Sequence, residues 1–280
     1  MIIDSHTHAW EFWPYEPPVP DHGSRGRPEQ LLWEMDRNGV DKAVLICAGI
    51  EHNPSNNDFI ARSVEAYPDR LIQFADVDCS WSDTYHTPGA ADRLANAAEK
   101  YHLKGFTHYL KSDFDWFESK EGIRFFETAN RLGLVASLAL APPWQPSLRK
   151  LARRFPQVPF LCHHMAGARA GEDPPHRDLT EILRSAEEPN IYIKMSGFSY
   201  VSQVSWDYPY LDTHWVIREL YGQFGPHRLC WGSDYPVVRA SMTYRHALEA
   251  FRTHCSFIPD DDQNRILGNN LRGLLDRAGR

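Results

Sequence analysis

Cysteine pairs are missing from this sequence of 280 residues. Its five cysteines stand singly along the chain and form no CxxC pair: Cys47, Cys79, Cys162, Cys230 and Cys255. An odd, scattered set argues against a disulfide framework and against a thiolate zinc site. It favours a reducing compartment, so we expect a cytoplasmic protein.

Long apolar runs, basic runs and a leader pattern are missing too. No stretch reaches the roughly 18 apolar residues that a membrane-spanning helix needs. The first residues, MIIDSHTHAW, show no basic region followed by an apolar one, so we expect no secretory leader. The net charge of −7 argues against nucleic acid and anionic membranes as partners, whereas a small anionic substrate stays compatible with it.

What the sequence does contain is a regular alternation of short β-rich runs with helix-like segments. We expect eight strands, near 2–5, 42–47, 71–77, 104–109, 134–139, 159–163, 191–195 and 228–232. Helices are expected over 28–38, 56–66, 90–101, 121–131, 146–154, 178–186, 211–223 and 242–253, with a last one near 261–276. Eight such units predict an α/β fold, a (β/α)8 TIM-like barrel forming a single domain over 1–280, and a doubly wound open sheet is the alternative.

Polar side chains stand at the ends of several predicted strands, where barrel enzymes carry their chemistry. His6 and His8 end the first strand and are two residues apart, so they share one face. Two imidazoles on one face can bind one metal ion or polarise one carbonyl group. The alternative is an ordinary pair of satisfied polar groups.

Asp234 follows the last strand in a GSDYP turn. A carboxylate there can take a proton from water or bind a metal, and the alternative is a helix cap. His163 and His164 follow the sixth strand. Since adjacent residues of an extended chain point in opposite directions, we expect only one of these two to face the barrel axis.

Lys194 and Ser196 share one face of the seventh strand, and both are candidates for substrate contact. If that face points inward, Lys194 is a candidate partner for an anionic group, and a lysine of the barrel core is the alternative. Arg239, shortly after Asp234, is a weaker candidate for substrate contact.

Five segments spread along the chain together resemble the amidohydrolase superfamily. They are closest to its amidohydrolase-2 branch, and within it to the lactonases related to 2-pyrone-4,6-dicarboxylate lactonase and the sugar-acid lactonases. The segments are DSHTHAW at 4–10, MDRNGVDKAVLI at 35–46, HHMAG at 163–167, IYIKMSGF at 191–198 and GPHRLCWGSDYPV at 225–237.

The resemblance implies a barrel hydrolase and identifies His164 as the matching histidine of the HHMAG segment. It implies that a divalent metal, zinc first among the candidates, is held by His6, His8, His164 and Asp234. A metal-free site is an equal alternative, because some lactonases of this branch work without metal. The strand-5 histidine that binds metal in the related decarboxylases is missing from LVASLALAPPW at 134–144.

A second departure lies in the fourth strand, where Thr107 stands in place of an arginine that grips carboxylates in this branch. This weakens the expectation of a dicarboxylate substrate, and His108 is a candidate replacement for the arginine.

The leading hypothesis is the opening of a lactone of a small organic or sugar acid. Asp234 would activate water, while His6, His8 and His164, with or without metal, would stabilise the oxyanion. One alternative is a metal-dependent decarboxylase or redox-metal enzyme of the same superfamily. Another is a supporting subunit paired with a catalytic paralogue, so homo- and hetero-oligomers both stay open.

Overall fold

The eight expected strands are all present in the computed structural model, which describes residues 1–279. They form one parallel sheet in chain order. The strands are β1 Ile3–Thr7, β2 Lys42–Ile46, β3 Leu71–Asp76, β4 Gly105–Tyr109, β5 Val135–Ala139, β6 Phe160–Cys162, β7 Ile191–Met195 and β8 Leu229–Trp231.

The sheet closes on itself just beyond β8. Thr7 forms a parallel bridge with Tyr235. The Asp234 backbone N–H donates to the His6 carbonyl at 2.8 Å, and the His8 N–H donates to the Tyr235 carbonyl at 2.7 Å. The (β/α)8 barrel is therefore confirmed, and the open sheet is wrong.

Helices follow the strands as the alternation predicted. They are α1 Pro28–Asn38, α2 Asn56–Ala66, α3 Ala90–Tyr101, α4 Lys120–Arg131, α5 Gln145–Arg154, α6 Arg177–Arg184, α7 Phe198–Val201, α8 His214–Phe224, α9 Tyr244–Arg252, α10 Asp260–Asn264 and α11 Asn270–Arg277. A π-helical turn, Arg265–Asn269, joins α10 to α11 and completes the last predicted helix. The four residues of α7 were not predicted, because so short a segment shows no periodicity.

Local chemistry sets the bounds of these helices, as α1 illustrates. Pro28 occupies its first turn, where a missing N–H costs no hydrogen bond, and Gly39 ends it in the left-handed region at φ 68°. Its buried residues, Leu31, Leu32 and Met35, are spaced to lie on one face against the barrel. Within residues 1–279, no helix is both long and apolar enough to cross a membrane.

Strand alternation separates two apolar layers. One lies between the strands and the helices, and it takes residues such as Phe106 and Cys162. The other fills the lower interior of the barrel with Ile3, Val44, Ile46, Phe74, Val135, Leu161 and Cys230. Above that floor, the inward positions of four neighbouring strands become polar: Thr107, Ser137, His163 and Lys194.

Gly105 lies at a point of close approach in the lower interior. A Cβ atom there would come 2.5 Å from Cζ of the fully buried Phe74. We expect Gly105→Ala to lower the free energy of unfolding by about 1–3 kcal/mol, because the ring has no free space to enter. The measurement is denaturant unfolding of the variant beside the parent chain.

Gly222 in α8 is the matched control, because a Cβ there would meet nothing within 4 Å. Gly222→Ala is expected to be neutral or stabilising by up to about 1 kcal/mol, since alanine favours a helix over glycine. Equal midpoints of denaturant unfolding for the two variants would contradict the argument that Phe74 leaves no space for a Cβ atom at Gly105.

Candidate active site

Three side chains from the two ends of the closed sheet meet at the mouth of the barrel. His6 Nε2 lies 3.2 Å from His8 Nε2. Each of these nitrogens lies 3.4 Å from Asp234 Oδ1, and all three residues are buried. The structure thus brings together the pair on β1 and the carboxylate after β8, which are more than 220 residues apart in the chain. We call this arrangement the His6–His8–Asp234 triangle.

His8 is fixed in orientation by its other ring nitrogen. Its Nδ1 lies 2.7 Å from the carbonyl of Ile46, a bond that only a protonated Nδ1 can make. The His8 ring also stacks on Trp10 with centroids 4.9 Å apart. When Nδ1 carries the only ring proton, Nε2 has a free lone pair that points into the triangle.

A buried carboxylate beneath the triangle holds its two strands in register. Asp4 accepts hydrogen bonds from the backbone N–H of His6 at 3.1 Å and of Ser233 at 2.9 Å, and from the Tyr244 hydroxyl at 3.0 Å. Burial raises the pKa of Asp4 to about 6 despite these donors. Asp4 therefore connects the end of β1 to the turn that carries Asp234.

Asp234 sits in a left-handed backbone conformation at φ 63°, which turns its side chain back over the barrel mouth. Its second oxygen, Oδ2, accepts a hydrogen bond of 2.5 Å from the Tyr200 hydroxyl. Burial by itself would raise the pKa of Asp234, but His164, His8 and Tyr200 outweigh it and the net pKa is lowered. Asp234 is therefore a carboxylate at neutral pH.

Tyr200 is a site residue that sequence reasoning missed. It lies in α7, and its hydroxyl reaches Asp234 although half of the residue is exposed. No spacing in the sequence distinguishes it from the chain's other tyrosines, because its contact with Asp234 exists only after β7 and β8 pair.

Both histidines of the HHMAG segment face the site, so the expectation that only one does so is wrong. The rings of His163 and His164 lie 4.4 Å and 4.5 Å from the His6 ring. His163 continues the inward alternation of β6, whereas His164 adopts φ 46° and turns back toward the same side. Strand alternation fails here because β6 ends at Cys162, before either histidine.

Lys194 is fully buried and points into the barrel, but beneath the site instead of toward its opening. Its Nζ lies 3.0 Å from His6 Nδ1 and donates to Ser137 Oγ at 2.8 Å. Burial lowers the pKa of Lys194 to about 7. With these two partners, Lys194 supports His6 from below, which agrees with the alternative of a lysine in the barrel core and not with a direct contact to an anion.

Ser196 also acts on a histidine. Its Oγ lies 3.0 Å from Nδ1 of His164, and this contact orients the half-buried ring. Burial lowers the pKa of His164 to about 4, so the ring is neutral near pH 7. The structure thus places Ser196 behind His164, whereas the sequence suggested a substrate contact.

Two expected substrate-binding residues are not brought to the triangle. His108 lies on the outward face of β4, because Thr107 takes the inward position; its Nδ1 bonds the Val77 carbonyl at 2.9 Å and its ring packs on Phe125. Arg239 lies in the turn after β8, one third exposed and 3.9 Å from Asp21. The proposal of His108 as a replacement for a carboxylate-binding arginine is therefore corrected by strand parity.

The triangle has the dimensions of a metal-ligand set. Ligands around tetrahedral zinc, at about 2.0–2.1 Å from the ion, stand about 3.3–3.4 Å from one another. The three ligand atoms here are separated by 3.2–3.4 Å. Two imidazole nitrogens and one carboxylate oxygen are a common zinc donor set, so these residues fit the ion. His164 instead forms a second group with His6 and His163, in which the ligand atoms lie within 4.8 Å of one another.

Known proteins resemble this chain along nearly its whole length. An L-fucono-1,5-lactonase of Burkholderia ambifaria is 25% identical over 96% of this chain and 93% of its own. A solved structure of a probable 2-pyrone-4,6-dicarboxylic acid hydrolase of Acinetobacter baumannii, with citric acid bound, superposes with a TM-score of 0.76 at 20% identity, over 98% of this chain and 99% of that one. An amidohydrolase of Burkholderia multivorans with bound zinc superposes with a TM-score of 0.78 at 18% identity, over 99% of both chains. At these identities the two superpositions show the barrel fold.

The resemblance inferred from the five sequence segments is confirmed by a family comparison. The family model described as "Amidohydrolase" matches residues 3–277, which include β1 with its histidine pair and the turn with Asp234. This chain belongs to the amidohydrolase family of enzymes.

Proposed function

We propose that this enzyme hydrolyses a lactone of a small organic or sugar acid. The observation that carries the proposal is the carboxylate of Asp234, ionised and held 3.4 Å from two histidine nitrogens at the barrel mouth. The similarity to an L-fucono-1,5-lactonase along nearly the whole chain supports the substrate class.

In the proposed reaction, Asp234 takes a proton from a water molecule as the water oxygen bonds to the acyl carbon. Negative charge then develops on the carbonyl oxygen, where the neutral ring of His164 is a nearby donor and His6 and His8 are nearby ligands for an ion that would offset the charge. When the ring C–O bond breaks, Asp234 returns the proton to the departing alkoxide. The product is a hydroxy acid, and the carboxylate is regenerated.

A zinc ion held by His6, His8 and Asp234 would supply a Lewis acid for the acyl oxygen. To bind the ion, each histidine must present a ring nitrogen that carries no proton, so the protein must hold each ring in the correct tautomer. His8 meets that condition through its bond to Ile46. His6 meets it when Nδ1 carries the proton, and burial lowers the His6 pKa far enough to keep the ring neutral.

The surroundings of the triangle support a sugar-acid lactone over a dicarboxylate. Within residues 1–279, no arginine forms a hydrogen bond or ion pair with His6, His8 or Asp234. Thr107 takes the inward position of β4, and Lys194 is buried beneath His6. A second carboxylate on the substrate would therefore find no exposed cation at these residues.

The proposal is tested by a panel of lactones with the purified chain alone. The panel contains six- and five-membered sugar-acid lactones, a pyrone dicarboxylate and an aromatic carboxylic acid. Ring opening is measured by the release of acid, and decarboxylation is measured by the loss of absorbance. Opening of sugar-acid lactones is expected. Activity only against the aromatic acid would favour the decarboxylase alternative, and activity only beside a co-expressed paralogue would favour the supporting subunit.

Tyr200→Phe is expected to shift the acid limb of the pH–rate profile to higher pH. The Tyr200 hydroxyl stabilises the ionised form of Asp234, so its removal raises the Asp234 pKa and the base is lost by protonation at a higher pH than in the parent. The measurement is kcat/KM for lactone opening between pH 4 and pH 8.

Tyr221→Phe is the matched control, because its hydroxyl also donates to a carboxylate, Asp262 Oδ2, at 2.6 Å. That pair lies between α8 and α10, away from the triangle. A limb that moves equally in both variants, or in neither, would contradict the role given to Tyr200.

A further inference from the structure

His163 carries a buried ring nitrogen that no protein group satisfies. Its Nε2 lies 2.7 Å from Ser137 Oγ, whereas its Nδ1 is buried and has no hydrogen-bond partner. The residue is 3% exposed and faces the barrel interior. Nothing in the lactone mechanism above uses it.

The hydrogen-bond chain behind His163 decides which nitrogen carries the proton. Lys194 Nζ donates to Ser137 Oγ, and the serine hydroxyl proton is satisfied when it is donated to the other partner of that oxygen, His163 Nε2. A neutral His163 whose Nε2 accepts must hold its proton on Nδ1.

This direction holds for Lys194 as an ammonium, and for Lys194 as a neutral amine whose lone pair accepts from His6 Nδ1–H. As an ammonium, Lys194 donates to His6 Nδ1 and to Ser137; as a neutral amine, it accepts from His6 Nδ1 and still donates to Ser137. In either case His163 presents Nδ1–H. The unpaired atom is therefore a donor, held in one tautomer by groups that are themselves buried.

A buried N–H without an acceptor is costly, and it is retained where a ligand or an ordered water completes the bond. One ring nitrogen each of His6, His163 and His164 lies within 4.8 Å of the others. A second unpartnered polar atom, Thr107 Oγ1, belongs to the same inward layer, where Thr107 pairs in register with Ser137. The His163 ring, 4.4 Å from the His6 ring, thus belongs to the site itself.

We propose that His163 is a catalytic residue whose Nδ1–H donates to the acyl oxygen of the lactone and to the oxyanion that forms from it. Ser137 and Lys194 are positioning residues that fix its tautomer. The inference rests on the proposed function, because it names the donor for the charge that ring opening develops.

Two substitutions separate the two nitrogens of the ring. The amide nitrogen of asparagine is bonded to Cγ, as Nδ1 is, whereas the amide nitrogen of glutamine reaches the position of Nε2. His163→Gln is expected to lower kcat by about 10²–10³-fold, the usual effect of losing one oxyanion donor, with KM changed less than about threefold. His163→Asn is expected to stay within about tenfold of the parent. The reverse order would show that only the bond to Ser137 matters, and it would overturn the proposal.

A measurement without turnover keeps the proposal falsifiable if a variant folds poorly or if the enzyme opens no lactone. The full-length chain is labelled with ring-¹⁵N histidine, and the His163 signals are assigned by difference with His163→Gln. We expect the neutral Nδ1–H tautomer at pH 7.5, and we expect its proton resonance to move on titration with 2-piperidone, the lactam of a six-membered ring. An Nε2–H tautomer, or an Nδ1–H resonance that the lactam leaves unmoved, would overturn the assignment. Absence of lactone turnover would instead count against the proposed function.

Discussion

Asp234→Asn is expected to lower kcat for lactone opening by about 10³-fold or more while the fold stays intact. The amide has the shape of the carboxylate, and its oxygen still accepts the Tyr200 hydroxyl. It cannot take a proton from water, so the step that forms the new acyl bond loses its base. The measurement is kcat and KM on the best lactone of the panel, together with the thermal midpoint of unfolding.

Asp262→Asn is the matched control for this substitution. Asp262 also accepts a tyrosine hydroxyl, that of Tyr221, but it lies in α10 away from the barrel mouth. We expect its kcat to equal that of the parent. If Asp234→Asn kept activity near the parent's, the proposed proton transfer would be wrong whatever the metal content of the chain.

His8→Gln is expected to weaken zinc binding by at least about 100-fold. Removing one direct ligand of three costs more than the 10- to 100-fold loss typical of a supporting contact. The amide cannot supply the free imidazole lone pair that the bond to Ile46 leaves on His8 Nε2. Zinc per chain is measured by elemental analysis, and the affinity by competition with a chromophoric chelator.

His52→Gln is the control, because His52 is an exposed histidine of the loop before α2. Its zinc affinity is expected to match the parent's. Equal affinities for His8→Gln and the parent would place the ion elsewhere. A parent chain that binds no zinc and still opens lactones after chelation would support a metal-free site, in which hydrogen-bond donors such as His164 stabilise the oxyanion without an ion.

The contacts with His6 and Ser137 also explain how Lys194 can lie inside the barrel. Lys194 is fully buried, and burial lowers its pKa to about 7, so it can be a neutral amine near pH 7. A neutral Lys194 can accept from His6 Nδ1–H, and His6 Nε2 then carries no proton. Loss of Ser137 or Lys194 would leave a histidine tautomer undetermined. We therefore regard the inward polar layer of β4 to β7 as one connected unit under the triangle.

Most of the fold was decided by local sequence properties. The eight strands and the principal helices follow from apolar periodicity and from breakers such as Gly39, because these act over a few residues. The pair His6 and His8 could be placed on one face for the same reason, since extended chain alternates regardless of what surrounds it. Asp234 could be placed at the barrel mouth because every strand of a parallel barrel ends there.

The tertiary structure alone decided what each of these side chains contacts. Alternation gave the wrong answer for His163 and His164, because β6 ends before them and the left-handed turn at His164 brings both to His6. Tyr200 and Ser137 have no sequence signal, since their partners are 34 and 57 residues away. Distances between strand ends depend on how the barrel closes, which is a property of all eight strands together. The sequence by itself therefore determined the elements and the identity of the central residues. Closure of the barrel determined the geometry of the site.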